Sequence, residues 1–252
     1  MRKVNLIPMA GLGKRFIDKG YKTPKPLILI NKKPMFVRAV KSLPKSDLLI
    51  FICLKEHVKK FKIDKVIKSF FPKSKIIISK KKKIGQAADC FEAAKYIKKK
   101  DLLTIGSCDC AMIYNSNLLK KKIKNSDLIV WTFKDKKIVK KNPKMYGYVK
   151  VDKNSAIQKI SCKKIISKLP WNDHAIIGAF TFKRAEIFLK YTKELLLSNN
   201  KINNEYYMDT VAENCVNSGI NAKVHLVKKY YGWGTPSDLE NFLNKQSCSN
   251  YQ

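Results

Sequence analysis

Val4-Asn5-Leu6-Ile7-Pro8-Met9 runs without a break into Ala10-Gly11-Leu12-Gly13-Lys14-Arg15-Phe16, and Tyr21-Lys22-Thr23-Pro24-Lys25-Pro26-Leu27 follows. The first six residues have the short, apolar character of a buried strand, and the glycines form a turn at its end. Without a Cβ, glycine lets backbone N–H groups close on phosphate oxygens, and Lys14, Arg15 and Lys25 can neutralise a triphosphate. Pro24 and Pro26 each fix φ and favour an extended neighbour, so Lys25 is expected on a stiff strut. Two other phosphate loops fail on the same residues. A Walker loop needs Ser or Thr where Arg15 stands, and the dinucleotide fingerprint needs a third glycine where Phe16 stands.

Beyond this turn, short apolar runs alternate with helix-length amphipathic stretches, the pattern of stacked βαβ units around a mostly parallel sheet. Strands are expected over 4–9, 47–54, 75–79 and 102–107, and helices over 34–43, 57–71 and 86–98. The fourth strand stops abruptly before Asp109. After Trp131 the rhythm changes. A Lys-rich loop (134–144) leads to two short alternating segments (146–151 and 156–160) and a strand at 176–182, which reads as a smaller antiparallel lobe. Helices over 184–197 and 205–218, a strand at 222–227 and a helix over 237–244 complete the chain. The run Lys80 to Lys83 reads as solvated loop. With 252 residues, no internal repeat and no long linker, one large α/β domain is expected.

Charge is the unusual feature: 53 Lys and Arg against 19 Asp and Glu give a formal net charge of +34. Only four of the cations are Arg (Arg2, Arg15, Arg38, Arg184), whereas readers of phosphate and bases favour the planar Arg fork. The lysines are dispersed and not interleaved with aromatics, which argues against nucleic acid as the partner. Seven cysteines without pairing or C-x-x-C spacing fit free thiols in a reducing compartment. The start lacks an export signal and the longest apolar run, Leu48 to Leu54, is far too short to span a bilayer, so a soluble, cytoplasmic protein is expected. His57, His174 and His225 show no spacing that suggests a triad or metal site, and Trp171, Tyr230, Tyr231 and Trp233 read as core aromatics or as a pocket lining.

These residues resemble the sugar-phosphate nucleotidyltransferases, the nucleoside-diphosphate-sugar pyrophosphorylases, which open with a G-x-G-x-R turn and a Pro-Lys-Pro strut. Further along, Gly85-Gln86-Ala87-Ala88 is similar to the family's G-x-A segment, and Gly106-Ser107-Cys108-Asp109 to the place of its metal-binding Asp. Tyr146-Gly147-Tyr148-Val149 is similar to its sugar-contact strand, Gly178 to its later glycine, and Gly234-Thr235-Pro236-Ser237-Asp238 to its C-terminal Gly-Thr-Pro-x-Asp. Six such segments fall in the family's order.

The resemblance implies a GT-A-like α/β fold, a mostly parallel mixed sheet sandwiched by helices with a small antiparallel acceptor-binding lobe. Within a single domain of residues 1–252, residues 1–133 would form the nucleotide-binding core and 134–252 the acceptor-binding lobe and C-terminal completion. It implies transfer of a nucleotidyl group from a nucleoside triphosphate to a sugar phosphate or similar acceptor, releasing pyrophosphate for polysaccharide or glycoconjugate synthesis. Arg15, Lys25 and Asp109 would be catalytic; Ala10, Gly11, Gly13, Lys14, Arg15 and Gln86 would hold the nucleotide, with Gln86 favouring a pyrimidine; Tyr146, Gly147, Lys163 and Gly178 would hold the acceptor. Mg²⁺ is the implied cofactor. It takes one or two carboxylates plus phosphate oxygens and water, and a carboxylate at the carboxyl end of a buried parallel strand lies where open sheets bind ligands. Cys108 and Cys110, as strand neighbours of Asp109, should point to the opposite face.

Three departures matter. Where the family often carries a second metal-binding Asp, two residues before Gly-Thr-Pro, this chain has Gly232; Asp209 is the substitute candidate, sharing an expected helix face with Glu205. The family's Glu-Lys sugar-phosphate contact reads Cys162-Lys163, so the acceptor need not be an ordinary hexose 1-phosphate. A GT-A glycosyltransferase would share the fold, but its D-x-D motif would read Cys108-Asp109-Cys110 and it has no need of Arg15 and Lys25.

Overall fold

In the computed structural model, which describes residues 1–79 and 85–249, the first strand, β1 (Lys3–Met9), sends Val4 and Leu6 into one apolar cluster and Ile7 and Met9 into another. Burial on both faces is what a central parallel strand requires. The chain continues through α1 (Lys14–Asp18), a hairpin of β2 (Leu29–Ile30) and β3 (Lys33–Pro34), α2 (Met35–Lys41) and β4 (Leu48–Leu54). β4 runs parallel to β1, from Val4 opposite Leu48 to Met9 opposite Cys53. Ile50 and Ile52 again face one cluster, Phe51 and Cys53 the other.

The helix expected over 57–71 is two, α3 (Lys55–Phe61) and α4 (Ile63–Phe70). Lys62 between them is left-handed at φ 50°, and the redirected second segment buries Ile63 and Ile67 completely. β5 (Lys75–Ser79) pairs in parallel with β4. The lysine run 80–83, expected as solvated loop, lies outside the described residues. α5 (Gln86–Phe91) ends before the expected 98, and a separate tight turn covers Ala94–Tyr96. The chain turns there so that Ile97 enters the core and Asp101 meets the Arg2 guanidinium at 2.5 Å. β6 (Leu102–Ile105) flanks β1 in parallel on its other side.

Three elements absent from the expectation come next, β7 (Cys110–Ile113), α6 (Ser116–Lys124) and the strand after it, with α6 capped by the Asn115 side chain, which accepts from the Asn117 and Leu118 N–H groups. β8 (Leu128–Phe133) is buried throughout. The expected Lys-rich loop contains α7 (Lys136–Lys141), started by Asp135, whose carboxylate accepts from the Ile138 N–H at 3.0 Å, and anchored by the fully buried Val139. β9 (Tyr148–Val151), β10 (Ile157–Ser161), β11 (His174–Phe182), α8 (Ala185–Ser198), α9 (Met208–Asn217), β12 (Ala222–Leu226), β13 (Lys229–Gly232) and α10 (Pro236–Ser249) follow.

Among the described residues the central sheet has nine strands, ordered β10-β9-β11-β6-β1-β4-β5, with β8 on β11 and β12 on β8. The antiparallel strands β9, β10 and β11 are thus continuous with the parallel set. α5, α8 and α9 cover one face through Ala87, Phe188 and Val211, and α2, α4, α6 and α7 cover the other through Phe36, Ile67, Leu119 and Val139. A satellite cluster of Phe16, Ile28, Ile30, Met35, Trp233 and Leu239 ties the glycine-rich turn to the C-terminal segment. Among the described residues no helix is long and apolar enough to cross a membrane.

Candidate active site

The carboxyl ends of β1 and β6 open into a cavity of about 890 Å³, lined among others by Ala10 to Arg15, Lys25, Gln86, Asp109 and Gly178. One end is cationic. Gly13 sits at φ 65°, a left-handed conformation that costs other residues about 1–2 kcal/mol, and a Cβ built on it would lie 3.2 Å from the Lys25 Cβ. Lys25 is therefore packed directly on the turn. It begins a single helical turn, Lys25–Leu27, with Pro24 before it and Pro26 within it, in place of the extended strut expected from the two prolines.

Asp109 lies between β6 and β7. The Lys25 ammonium donates to its Oδ2 at 2.5 Å, and the Ser107 hydroxyl donates to its Oδ1. Burial alone would raise the Asp109 carboxyl; the Lys25 ammonium, the Ser107 hydroxyl and the more distant Arg15 outweigh it and hold the group below the usual carboxylate range. Burial would likewise lower the Lys25 ammonium, and Asp109 keeps it charged. The Asp109 carbonyl accepts from the Trp233 N–H at 2.8 Å, so the C-terminal segment pins the loop that carries the carboxylate. Cys108 and Cys110 both join an apolar cluster, where burial pushes both thiols up, but Cys108 also lines the cavity beside Asp109, so the expectation that both face away from it fails for Cys108.

β13 pairs with β7 so that Gly232 stands opposite Cys110, next to Asp109. A Cβ on Gly232 would meet the Tyr230 hydroxyl at 2.8 Å. The tyrosine ring, stacked on Phe133 at 4.2 Å, thus fills the space in which a carboxylate at 232 would start.

The opposite wall was largely missed from sequence. The helix expected over 205–218 begins only at Met208, so Glu205 and Asp209 do not share a helix face. Glu205 instead exchanges backbone hydrogen bonds with Ile202 at 2.9 and 3.0 Å, across Asn203 and Asn204 at φ 49° and 61°. Two successive left-handed residues make a type I′ turn, and Asn-Asn was the signal for it. The turn is seated on α5: the Ala87 N–H donates to the Tyr206 carbonyl at 2.9 Å. Gly85, at φ 100°, leaves no room for a Cβ against the Tyr206 backbone. Asn203, Asn204, Glu205 and Tyr207 join Gln86 and Asp89 as cavity lining, and the Gln86 amide reaches the Gly178 carbonyl at 3.5 Å.

Tyr146, Gly147, Lys163 and Asp209 form a neighbouring group outside that lining. The Lys163 ammonium donates to the Met145 carbonyl, and the Met145 sulfur lies 3.8 Å from an Arg15 guanidinium nitrogen. Asp209, buried, closes against Gly147 with no room for a Cβ between them. Burial pushes its carboxyl up to about 6, against the pull of Lys163. Asp209 is thus grouped with the expected acceptor residues rather than beside Asp109. Among the described residues no three His, Cys, Asp or Glu side chains gather as a metal cluster. Asp109 supplies hard oxygen donors of the kind Mg²⁺ takes together with phosphate and water, and here the Lys25 ammonium and the Ser107 hydroxyl occupy its two oxygens.

The profile of the nucleotidyl transferase family matches residues 4–239. The chain belongs to that family. It is a nucleotidyltransferase, which sets aside the glycosyltransferase alternative. The fold is similar to that of a nucleoside-diphosphate-sugar pyrophosphorylase from Vibrio cholerae RC9 (TM-score 0.79, 20% identity, covering 95% of this chain and 99% of that one). It is also similar to an inositol-1-phosphate CTP transferase from T. maritima (0.76, 16%, 97% and 94%) and to a UDP-glucose pyrophosphorylase complexed with UDP-glucose (0.75, 18%, 99% and 100%). No curated protein matches the chain.

Proposed function

We propose that this nucleotidyltransferase moves a nucleotidyl group from a pyrimidine nucleoside triphosphate to a phosphorylated, sugar-like acceptor, in the cytoplasm, supplying an activated precursor for polysaccharide or glycoconjugate. The observation that carries the reading is the Lys25–Asp109 pair beside the Gly11 to Arg15 turn, in one cavity. An acceptor phosphate oxygen attacks the α-phosphorus in line; a new P–O bond forms, the bond to the β-phosphate bridging oxygen breaks, and pyrophosphate leaves. No covalent enzyme intermediate is needed.

The side chains supply alignment and fixed positive charge where negative charge develops. The amides of Ala10, Gly11 and Gly13, with Lys14 and Arg15, hold the triphosphate; Lys25 stands over the reacting phosphate; Gln86 reads the base edge. Asp109 would hold Mg²⁺, which supplies charge neutralisation of the phosphates when bound. Tyr146, Gly147, Lys163 and Gly178 receive the acceptor, with the Lys163 ammonium free to exchange the Met145 carbonyl for an acceptor phosphate. Asp209, behind Gly147, supports that subsite. A panel of nucleoside triphosphates against phosphorylated acceptors, read as pyrophosphate, tests the reading. Release with one triphosphate and one acceptor class is the expected result, and silence across the panel overturns it.

A further inference from the structure

Charge is divided unequally between the two faces of the central sheet. The helices packed on one face, α2, α4, α6 and α7, with α3 joining them through Val58, carry fifteen lysines and arginines against two acids. On the other face α5, α8 and α9 carry two lysines against five acids. A bias of composition alone would load both faces alike. Three of the fifteen cations are committed to backbone: Arg38 donates to the Ile30 and Asn31 carbonyls, Lys68 to those of Pro72 and Ser74, and Lys122 to that of Val224. The other twelve are exposed lysines. Ile67, Leu119 and Val139 are buried on the sheet side of α4, α6 and α7, which turns the charged sides of these helices outward. Phe61, Phe70 and Leu118 stand exposed among the lysines.

We infer that this lysine-bearing face is a peripheral docking surface for an anionic lipid bilayer. A bilayer presents negative charge over an area, with no groove or base edge to fit, so separated ammonium groups suffice and each adds to the attraction within a Debye length. Apolar side chains set among them enter the interface, as they do on amphipathic surface helices. Duplex nucleic acid asks for more, because its phosphates and base edges are read best by the planar guanidinium fork. The one arginine on these helices is Arg38, already bound to two carbonyls. Among the described residues none of α2, α3, α4, α6 or α7 lines the cavity, so docking by this face engages no side chain of the proposed reaction.

The measurement is co-sedimentation of the full chain with vesicles of phosphatidylcholine, alone or mixed with phosphatidylglycerol, at about 0.1 M salt. Any protein of this charge is drawn weakly to an anionic surface, so two variants with the same loss of charge are compared. One carries K120Q, K121Q, K136Q and K137Q on α6 and α7; the other carries K99Q and K100Q in the turn before β6 with K190Q and K193Q on α8. Wild type should sediment with the phosphatidylglycerol vesicles and not with phosphatidylcholine alone. The α6–α7 variant should lose at least about tenfold in partition, and the other should stay within about twofold of wild type. K59Q, K60Q and K65Q on α3 and α4 read the same face from separate helices and should also weaken partition. Level thermal midpoints show that the variants are folded. Equal losses in the two charge-matched variants, or no partition of wild type onto phosphatidylglycerol, overturn the inference. Tighter binding to a nucleic-acid duplex than to the vesicles, lost in the α6–α7 variant, overturns it in favour of nucleic acid. Partition is read without substrates and stands apart from the proposed reaction.

Discussion

The Lys25 ammonium reaches Oδ2 of Asp109 at 2.5 Å across 84 residues of sequence, with both side chains largely withdrawn from solvent. This contact joins the glycine-rich turn to the end of the central sheet. Lys25→Met leaves a buried carboxylate without its partner, and should cost a few kcal/mol of stability, on the order seen when one member of such a pair is removed. Turnover should fall about a hundredfold or more, as for other fixed donors at a developing charge. The Lys25→Met, Asp109→Asn double variant should regain much of the stability and none of the activity. Urea titration with steady-state kinetics reads both, and additive stability losses would show that the pair is not coupled.

Gly13→Ala forces a Cβ into a left-handed residue 3.2 Å from the Lys25 Cβ. The expected loss is about 1–2 kcal/mol. Gly11→Ala, where a Cβ meets nothing within 4 Å, should stay within about 0.5 kcal/mol of wild type. Equal thermal midpoints for the two variants would contradict the strained-turn account.

His225 is fully buried between the Tyr114 and Trp131 rings, at 5.7 and 5.0 Å, and neither ring nitrogen has a hydrogen-bond partner. Burial, and then Lys122, lower it from 6.5 to about 4; burial, Lys134 and Lys122 do the same to His174. The unfolded chain binds these protons more readily. Their contribution is therefore complete above pH 6.5 and disappears as pH falls toward 4, with up to about 3 kcal/mol at stake for His225. His225→Phe should flatten the decline of urea midpoint between neutrality and mild acid. An unchanged slope would mean that this imidazole does not drive it.

Lys163 holds its left-handed conformation at φ 54° with its ammonium on the Met145 carbonyl. If that ammonium is the acceptor's phosphate anchor, Lys163→Ala raises the acceptor KM about tenfold, the worth of one charge-assisted bond, and leaves the KM for the triphosphate nearly unchanged. Parallel rises in both constants would point to a structural role instead.

The parallel core was readable because its strands are pure apolar pulses: Leu48 to Leu54 and Leu102 to Ile105 admit no other placement, and the abrupt stop at Asp109 marked the rim of the sheet. Gly13, Lys25, Gln86, Asp109 and Gly178, each picked out by motif, do line a common cavity. Lysine obscured α6 and α7. Each hides one fully or nearly buried anchor, Leu119 or Val139, in a run of charge, so periodicity alone carried little signal there. The wall at 203–207 was lost to a competing pattern. Glu205 and Asp209 fit a helical spacing, yet Asn203-Asn204 turned the chain first, and the packing of Tyr206 against Gly85 then fixed it. Asp209 lies beside Gly147 for the same reason: its helix starts later than the pattern implied.

The central claim is that the acid at the end of β6 and the cations facing it act together on a triphosphate. The most direct measurement follows an α-phosphorus label by ³¹P spectroscopy in wild type and in folded Asp109→Ala, supplied with triphosphate, Mg²⁺ and acceptor. The account predicts that wild type carries the labelled phosphorus into a diphosphate-linked product with one pyrophosphate per turnover, and that Asp109→Ala does so at least about a hundredfold more slowly. Label transfer at the wild-type rate in Asp109→Ala would contradict it.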